Sequence, residues 1–248
     1  MRTCSITDTG KVRQDNQDRF LSDPTRGLFV VCDGMGGYQG GELAAQIAVE
    51  TLEAAFADSD SNSDVNLMPR LAEALARANE AVWKRAQQEA ELSEMGTTIT
   101  VALIRSSHLY AAHVGDSPLF LLRDEGIMKL TNDHTLANKM ITEGIITATD
   151  PACQQFSHIL TRALGVEPMV NVDLLEMNLL PGDVLLLASD GLTKLVSDEE
   201  IRAYFCQPTD LELILNQLVN LSLDRGGGDN ITVVAVALDD KQEVRAHG

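Results

Sequence analysis

Positive charge is scarce in this chain: 19 Lys and Arg stand against 37 Asp and Glu, a formal net charge of −18 over 248 residues. A nucleic-acid surface draws its affinity from clustered Lys and Arg against phosphates. The composition therefore argues against a nucleic-acid partner, and with it against a two-metal nuclease. Long apolar runs are also missing, since none approaches the roughly 20 residues that cross a bilayer. The start from Met1 to Thr7 lacks the apolar core of a signal peptide. The expectation is a cytoplasmic protein without membrane insertion. The four cysteines, Cys4, Cys32, Cys153 and Cys206, are widely scattered. No C-x-x-C pair suggests structural zinc or a redox couple, and no Cys-x5-Arg loop offers a nucleophile for cysteine-based phosphatase chemistry. Aromatic residues are few, at 4%, so a core must come mainly from Leu, Ile, Val, Ala and Met within the 44% hydrophobic content. No Pro/Ser/Gly-rich linker divides the chain. One domain over residues 1–238 is expected, with a flexible tail at 239–248.

Periodicity gives the elements. Arg2 to Asp8 and Phe20 to Ser22 read as strands around the turn Thr9-Gly10-Lys11, an antiparallel opening, and Leu28 to Cys32 reads as a buried strand. Helical spacing follows over Glu42 to Ala57, then over Met68 to Glu91, with the acidic-serine run Asp58 to Asp64 as a solvated loop between them. Thr97 to Ile104, Leu109 to Val114, Leu119 to Arg123 and Ile127 to Leu130 read as a meander. An irregular insertion is expected at about 135–168, where periodicity weakens. Val170 to Glu176 and Val184 to Ala188 return as strands, Asp198 caps a helix to Phe205, Leu211 to Leu223 is helical, and Ile231 to Leu238 closes the domain. Strands in runs with helix pairs between them point to α+β layers rather than to the regular alternation of a parallel sheet.

Four segments join an apolar run or a glycine run to an aspartate: Val31-Cys32-Asp33-Gly34, Val114-Gly115-Asp116-Ser117, Ala188-Ser189-Asp190-Gly191 and Gly227-Gly228-Asp229-Asn230. Carboxylates at strand ends can converge on one cavity. Clustered carboxylates resist ionising together, so a stable cluster calls for cations, and hard oxygen donors favour magnesium, manganese or calcium. The glycines after Asp33 allow close backbone approach but lack the Lys-Ser/Thr ending of an ATP-cradling loop. Arg13, in Arg13-Gln14-Asp15-Asn16-Gln17-Asp18, carries a fork suited to phosphate oxygens, while an isolated Arg is equally a solvated charge. His134, a polar His in a turn, is read as holding local structure.

In this order the motifs resemble the metal-dependent protein phosphatase family, PPM or PP2C, of bacterial type. The resemblance spans nearly the whole chain and adds Gly96-Thr97-Thr98, Leu130-Thr131-Asn132-Asp133-His134, Leu160-Thr161-Arg162-Ala163-Leu164-Gly165 and Gly228-Asp229-Asn230-Ile231-Thr232 to the segments above. It implies a four-layer α-β-β-α sandwich, two antiparallel sheets flanked by helix pairs, with a flap at about 135–168 beside the active site. It implies hydrolysis of phosphoserine and phosphothreonine by a metal-bridging water or hydroxide, with two core Mn²⁺ or Mg²⁺ ions and a third site. By that resemblance Asp33 bridges the two ions, Gly34 offers its carbonyl to one, and Asp190 and Asp229 hold the other. Asp116, with Asp190, would bind the third ion, Arg13 would clamp the substrate phosphate, and Asp18 would support the first ion through water. Asp33, Asp190 and Arg13 thus form the catalytic set.

Met35 and Tyr38 stand where members of the family carry His, which leaves Tyr38 and metal-bound water as alternative proton donors; Pro118 stands where arginine is common. Phosphorylated proteins, among them a Ser/Thr kinase and its substrates, are the partners implied. A phosphatase acting on an anti-sigma antagonist, or a non-catalytic phosphoprotein-binding module of the same fold, are the competing readings.

Overall fold

The computed structural model describes residues 1–57, 66–207 and 209–238, and of Tyr38 and Gln39 the backbone only. The acidic-serine loop, the tail at 239–248 and the side chain of Tyr38 lie outside the described residues.

Two antiparallel sheets form the centre. One runs in the order β1 (Arg2–Asp8), β11 (Ile231–Ala237), β10 (Val184–Ala188), β7 (Leu119–Arg123), β8 (Gly126–Lys129). The other runs β2 (Asp18–Asp23), β3 (Leu28–Met35), β5 (Ile99–Arg105), β6 (His108–Val114), β9 (Asp173–Asn178), with the two-residue β4 (Gly96–Thr97) against β3. The inner strands β3, β5, β7, β10 and β11 are largely apolar because both their faces are covered, and the two-residue period deals alternate side chains to different layers. Val234 and Val236 of β11 pack between the sheets with Phe29, Val31, Leu119, Leu121, Leu185 and Leu187. Their neighbours Val233 and Ala235 face outward, onto α6 (Asp198–Phe205) and α7 (Leu211–Asp224). On the opposite side Val30, Ile99, Val101 and Leu103 pack against α1 (Gly37–Ala55) and α2 (Leu67–Ala86). The result is the expected α-β-β-α sandwich.

The pairing departs from the expected order in a way that matters for the site. β1 and β2 do not open the chain as a hairpin, since β1 pairs with β11 and β2 with β3. Nor do the strands from 97 to 130 form one meander. β5 and β6 belong to one sheet and β7 and β8 to the other, so the chain crosses between sheets over 115–118. Alternation reports which residues face a core but not which of two cores, and the crossover was invisible for that reason.

Local signals explain the other shifts. α1 starts at Gly37, ahead of the expected Glu42, because its glycines serve packing rather than a loop: a Cβ on Gly41 would lie 2.7 Å from the carbonyl carbon of Gly34 in β3. α6 is capped by Ser197, not Asp198, in a reciprocal capping box with Glu200. The stretch at 135–168 holds two short helices, α3 (Leu136–Thr142) and α4 (Ala152–Phe156); the bridge Thr135–Leu160 closes it on itself, and the bridge Thr97–Leu164 ties it to the body. A further short helix, α5 (Asp190–Thr193), follows β10 directly.

Candidate active site

Each of the four aspartates sits at a break between sheet and loop on one edge of the sandwich. Asp33 lies near the end of β3, where Thr98 interrupts the neighbouring strand: the Asp33 N–H donates to Thr98 Oγ1 (2.9 Å), and the Thr98 N–H returns a bond to the Asp33 carbonyl (2.9 Å). Asp116 occupies the crossover between sheets, Asp190 opens α5, and Asp229 precedes β11. Together with Arg13, Gly34, His158, Leu160, Lys194 and Asn230 they line an open cavity of about 780 Å³. Six of the seven expected site residues therefore face one space.

Asp18 is the seventh and stands behind the wall, 2% exposed. Its Oδ2 accepts from Ser189 Oγ (2.7 Å), and the same hydroxyl accepts from the Thr232 N–H (2.9 Å). Ser189 thus ties β2, β10 and β11 together immediately before Asp190.

The electrostatics are those of crowded like charges. Burial, then the charges of Asp18, Asp190, Asp116 and Asp229, push the Asp33 carboxyl well above its ordinary range. Burial and the nearby Asp190 charge raise Asp116 to about 7, although Lys194 pulls the other way. Burial raises Asp18 to about 6 against the opposing hydrogen bonds from Ser189 and Thr232. Two cations answer these five carboxylates. The Arg13 fork holds Asp229 through Nε–Oδ1 (2.9 Å) and Nη2–Oδ2 (3.0 Å), and Lys194 Nζ pairs with Asp190 Oδ2.

Among the described residues no three His, Cys, Asp or Glu side chains form a ready-made cation cage. Asp229 and Asp190 point part of their charge at Arg13 and Lys194 instead. The donor chemistry nonetheless suits hard divalent cations: every acidic donor is a carboxylate, and the oxygens Asp190 Oδ1 and Asp18 Oδ1 are buried with no hydrogen-bonding partner. An unpartnered carboxylate oxygen beside unscreened neighbours is what a cation would relieve.

Asn230 shapes the side of the cavity that carries Arg13. Its Oδ1 accepts from the Gln17 N–H (2.8 Å), and its Nδ2 donates to the carbonyls of Thr9 (2.8 Å) and Asp15 (3.0 Å). The loop that carries Arg13 is pinned by one buried amide. Asn230, Thr98, Ser189 and Lys194 escaped sequence reasoning, although Lys194 had a signal in its i,i+4 spacing from Asp190.

His134 lies outside the cavity wall. Its Nδ1 accepts from the Gly115 N–H (3.0 Å), its own N–H donates to the Gly115 carbonyl (2.8 Å), and Nε2 faces Asp173 Oδ2 (3.1 Å). Burial, against the hydrogen bond its ring makes to Asp173, lowers its pKa. A neutral imidazole that accepts at Nδ1 fixes the loop before Asp116.

A family model described as protein phosphatase 2C matches residues 5–214. Protein phosphatase PhpP of Streptococcus pneumoniae is 32% identical over 244 residues, covering 97% of this chain and 99% of its own. The serine/threonine phosphatase structure of S. agalactiae superposes with a TM-score of 0.90 at 30% identity, covering 96% of this chain and 99% of that one. The catalytic domain of serine/threonine protein phosphatase PstP, solved in complex with two manganese ions, does so with a TM-score of 0.83 at 34% identity, covering 96% and 98%. The crossover that delivers Asp116, the paired strands that deliver Asp33, and these whole-chain likenesses lead to one conclusion: the chain belongs to the protein phosphatase 2C family and is a metal-dependent protein serine/threonine phosphatase.

Proposed function

We propose that the cavity hydrolyses phosphoserine and phosphothreonine in proteins with Asp33, the Gly34 carbonyl, Asp190 and Asp229 holding two Mn²⁺ or Mg²⁺ ions. The observation that carries this reading is the convergence of these groups on one cavity with Asp190 Oδ1 buried and unpartnered. Bound cations would supply charge against the phosphate oxygens and make water a nucleophile at neutral pH. The remaining work falls to the chain. Asp18, held by Ser189 through Oδ2 and with its Oδ1 unpartnered, would orient a water at the first ion.

Arg13 binds and orients the phosphate. Its ion pair with Asp229 is solvent-exposed, with 53% of the Arg13 side chain accessible, and such pairs contribute only about 0–1 kcal/mol. A phosphate offers the same planar fork two oxygens at little cost in lost pairing. The exchange would also free both oxygens of Asp229 for a cation. Asn230 keeps Arg13 within reach by holding the carbonyls of Thr9 and Asp15 on either side of it. Asp116 and Asp190 form the corner at which the family resemblance puts a third ion.

The stretch at 135–168 lends His158 and Leu160 to the cavity wall, and we read it as a flap that contacts the protein around the phosphorylated residue. A cytoplasmic Ser/Thr kinase and its substrates are the partners we favour. The four cysteines are free thiols, in keeping with a reducing compartment.

Phosphate release from a phosphothreonine peptide tests the assignment. Turnover should vanish on chelation, return with Mn²⁺ or Mg²⁺ and be absent in Asp190→Ala. A wild-type protein inert with either ion on several phosphopeptides would instead fit a non-catalytic binding module. Turnover indifferent to chelation would overturn the metal assignment.

A further inference from the structure

Lys194 lines the cavity with a positive charge to which the reading above gives no task. It follows α5 by a single position, so the helical i,i+4 spacing returns it over Asp190. Its ammonium pairs with Asp190 Oδ2, while Asp190 Oδ1 is buried and has no partner. The carboxylate is therefore divided: one oxygen is satisfied by the protein, and one remains for an ion. Lys194 lines the same cavity wall as Asp116, and its charge acts on that carboxylate too. The Asp116–Asp190 corner already contains a cation.

We propose that Lys194 serves as a built-in cation at the Asp116–Asp190 corner, taking the place of a third metal ion and leaving the site with two. The proposal rests on the two-ion phosphatase reading and refines it. A tethered ammonium supplies one positive charge where a divalent ion would supply two, and it does so at every metal concentration. It cannot acidify water as a divalent ion can. Its role is to neutralise Asp190 Oδ2 and fix the rotamer that aims Oδ1 at the core site. Lys194 is thus a positioning residue for the metal centre.

Counting ions separates this role from general structural support. Full-length protein, wild type and Lys194→Gln, is titrated with MnCl2, and bound Mn²⁺ is obtained from the loss of the free-ion electron paramagnetic resonance signal. Wild type should bind two ions per chain and Lys194→Gln three, the added one lost again in Lys194→Gln/Asp116→Asn. Lys194→Arg, which keeps the charge, should stay at two. Should Lys194→Gln fail to fold by circular dichroism, Lys194→Met serves the same comparison. Equal counts in wild type and the neutral variants, whether two or three, overturn the proposal, as does a third ion in Lys194→Arg that matches Lys194→Gln. Phosphopeptide turnover, measured in parallel, reports on the phosphatase reading alone. A chain that turns over phosphopeptide in a chelation-sensitive way and binds three ions leaves that reading standing and removes the role given to Lys194.

Discussion

Replacing Asn230 by its isostere Asp should damage the protein more than truncating it to Ala. The Asn230 side chain is 5% exposed and makes three hydrogen bonds to backbone groups of residues 9 to 17. At about 0.5–1.5 kcal/mol each, their loss in Asn230→Ala costs about 1.5–4.5 kcal/mol. For a domain of this size that corresponds to a fall in Tm of roughly 5–15 °C. In Asn230→Asp the Oδ1 acceptor survives, but the amide nitrogen becomes an oxygen facing two carbonyls, next to Asp229 and in a cavity already rich in carboxylates. Burial of an unpaired charge adds a penalty of several kcal/mol to the lost bonds. The order of stability should therefore be wild type, then Ala, then Asp. Thermal unfolding followed by circular dichroism at pH 8 with chelator present measures it without contribution from bound metal. The same loop carries Arg13, so Asn230→Ala with saturating Mn²⁺ should raise KM for a phosphopeptide more than it lowers kcat. An Asn230→Asp protein as stable as wild type would refute the reasoning, because it would mean the amide donors hold nothing that matters.

Arg13→Ala should leave Tm within about 4 °C of wild type, since it gives up only an exposed ion pair, yet raise phosphopeptide KM by roughly 10–100-fold through loss of a charge-assisted phosphate contact; steady-state kinetics and a melting curve on the same sample check both halves. Asp116, raised to about 7, gives a pH signature in chelated protein. A carboxyl whose folded pKa lies above its unfolded value of about 3.9 binds more protons when folded, so its contribution is favourable at low pH and is lost as pH rises. The stability of Asp116→Asn relative to wild type should accordingly increase from about pH 4 to about pH 7 and then level off, as read by urea titrations across that range; a difference independent of pH would refute it. Gly191→Ala should be strongly destabilising without any backbone strain at the glycine itself, because the new Cβ would lie 2.0 Å from the carbonyl oxygen of Asn230. Overpacking of this kind costs about 1–3 kcal/mol or more, and an unchanged urea midpoint would show that the Asp190 and Asp229 segments separate more easily than their packing suggests.

What could be read from the amino acids divides along a physical line. Runs such as Val30-Val31-Cys32 and Val233-Val234-Ala235 announce buried strands, and the aspartates beside them announce a site, because both signals are carried by neighbours in sequence. Which sheet a strand joins depends on partners far away: β1 finds β11 more than two hundred residues later, and nothing local distinguishes that pairing from a hairpin with β2. The aspartates were legible as a group but their surroundings were not, since Asn230 reaches back to Thr9, Asp15 and Gln17, and Ser189 to Asp18. Lys194 shows the limit most sharply. Its spacing from Asp190 was visible, but on a solvated helix that spacing is an ordinary surface pair worth a few tenths of a kcal/mol. Only the sandwich edge, by setting Asp116 on the same cavity wall, turns the pair into part of a cluster of carboxylates. On the role proposed for Lys194, a lysine there would change how many ions the same aspartates need, so likeness in those acids would not by itself carry likeness in metal count.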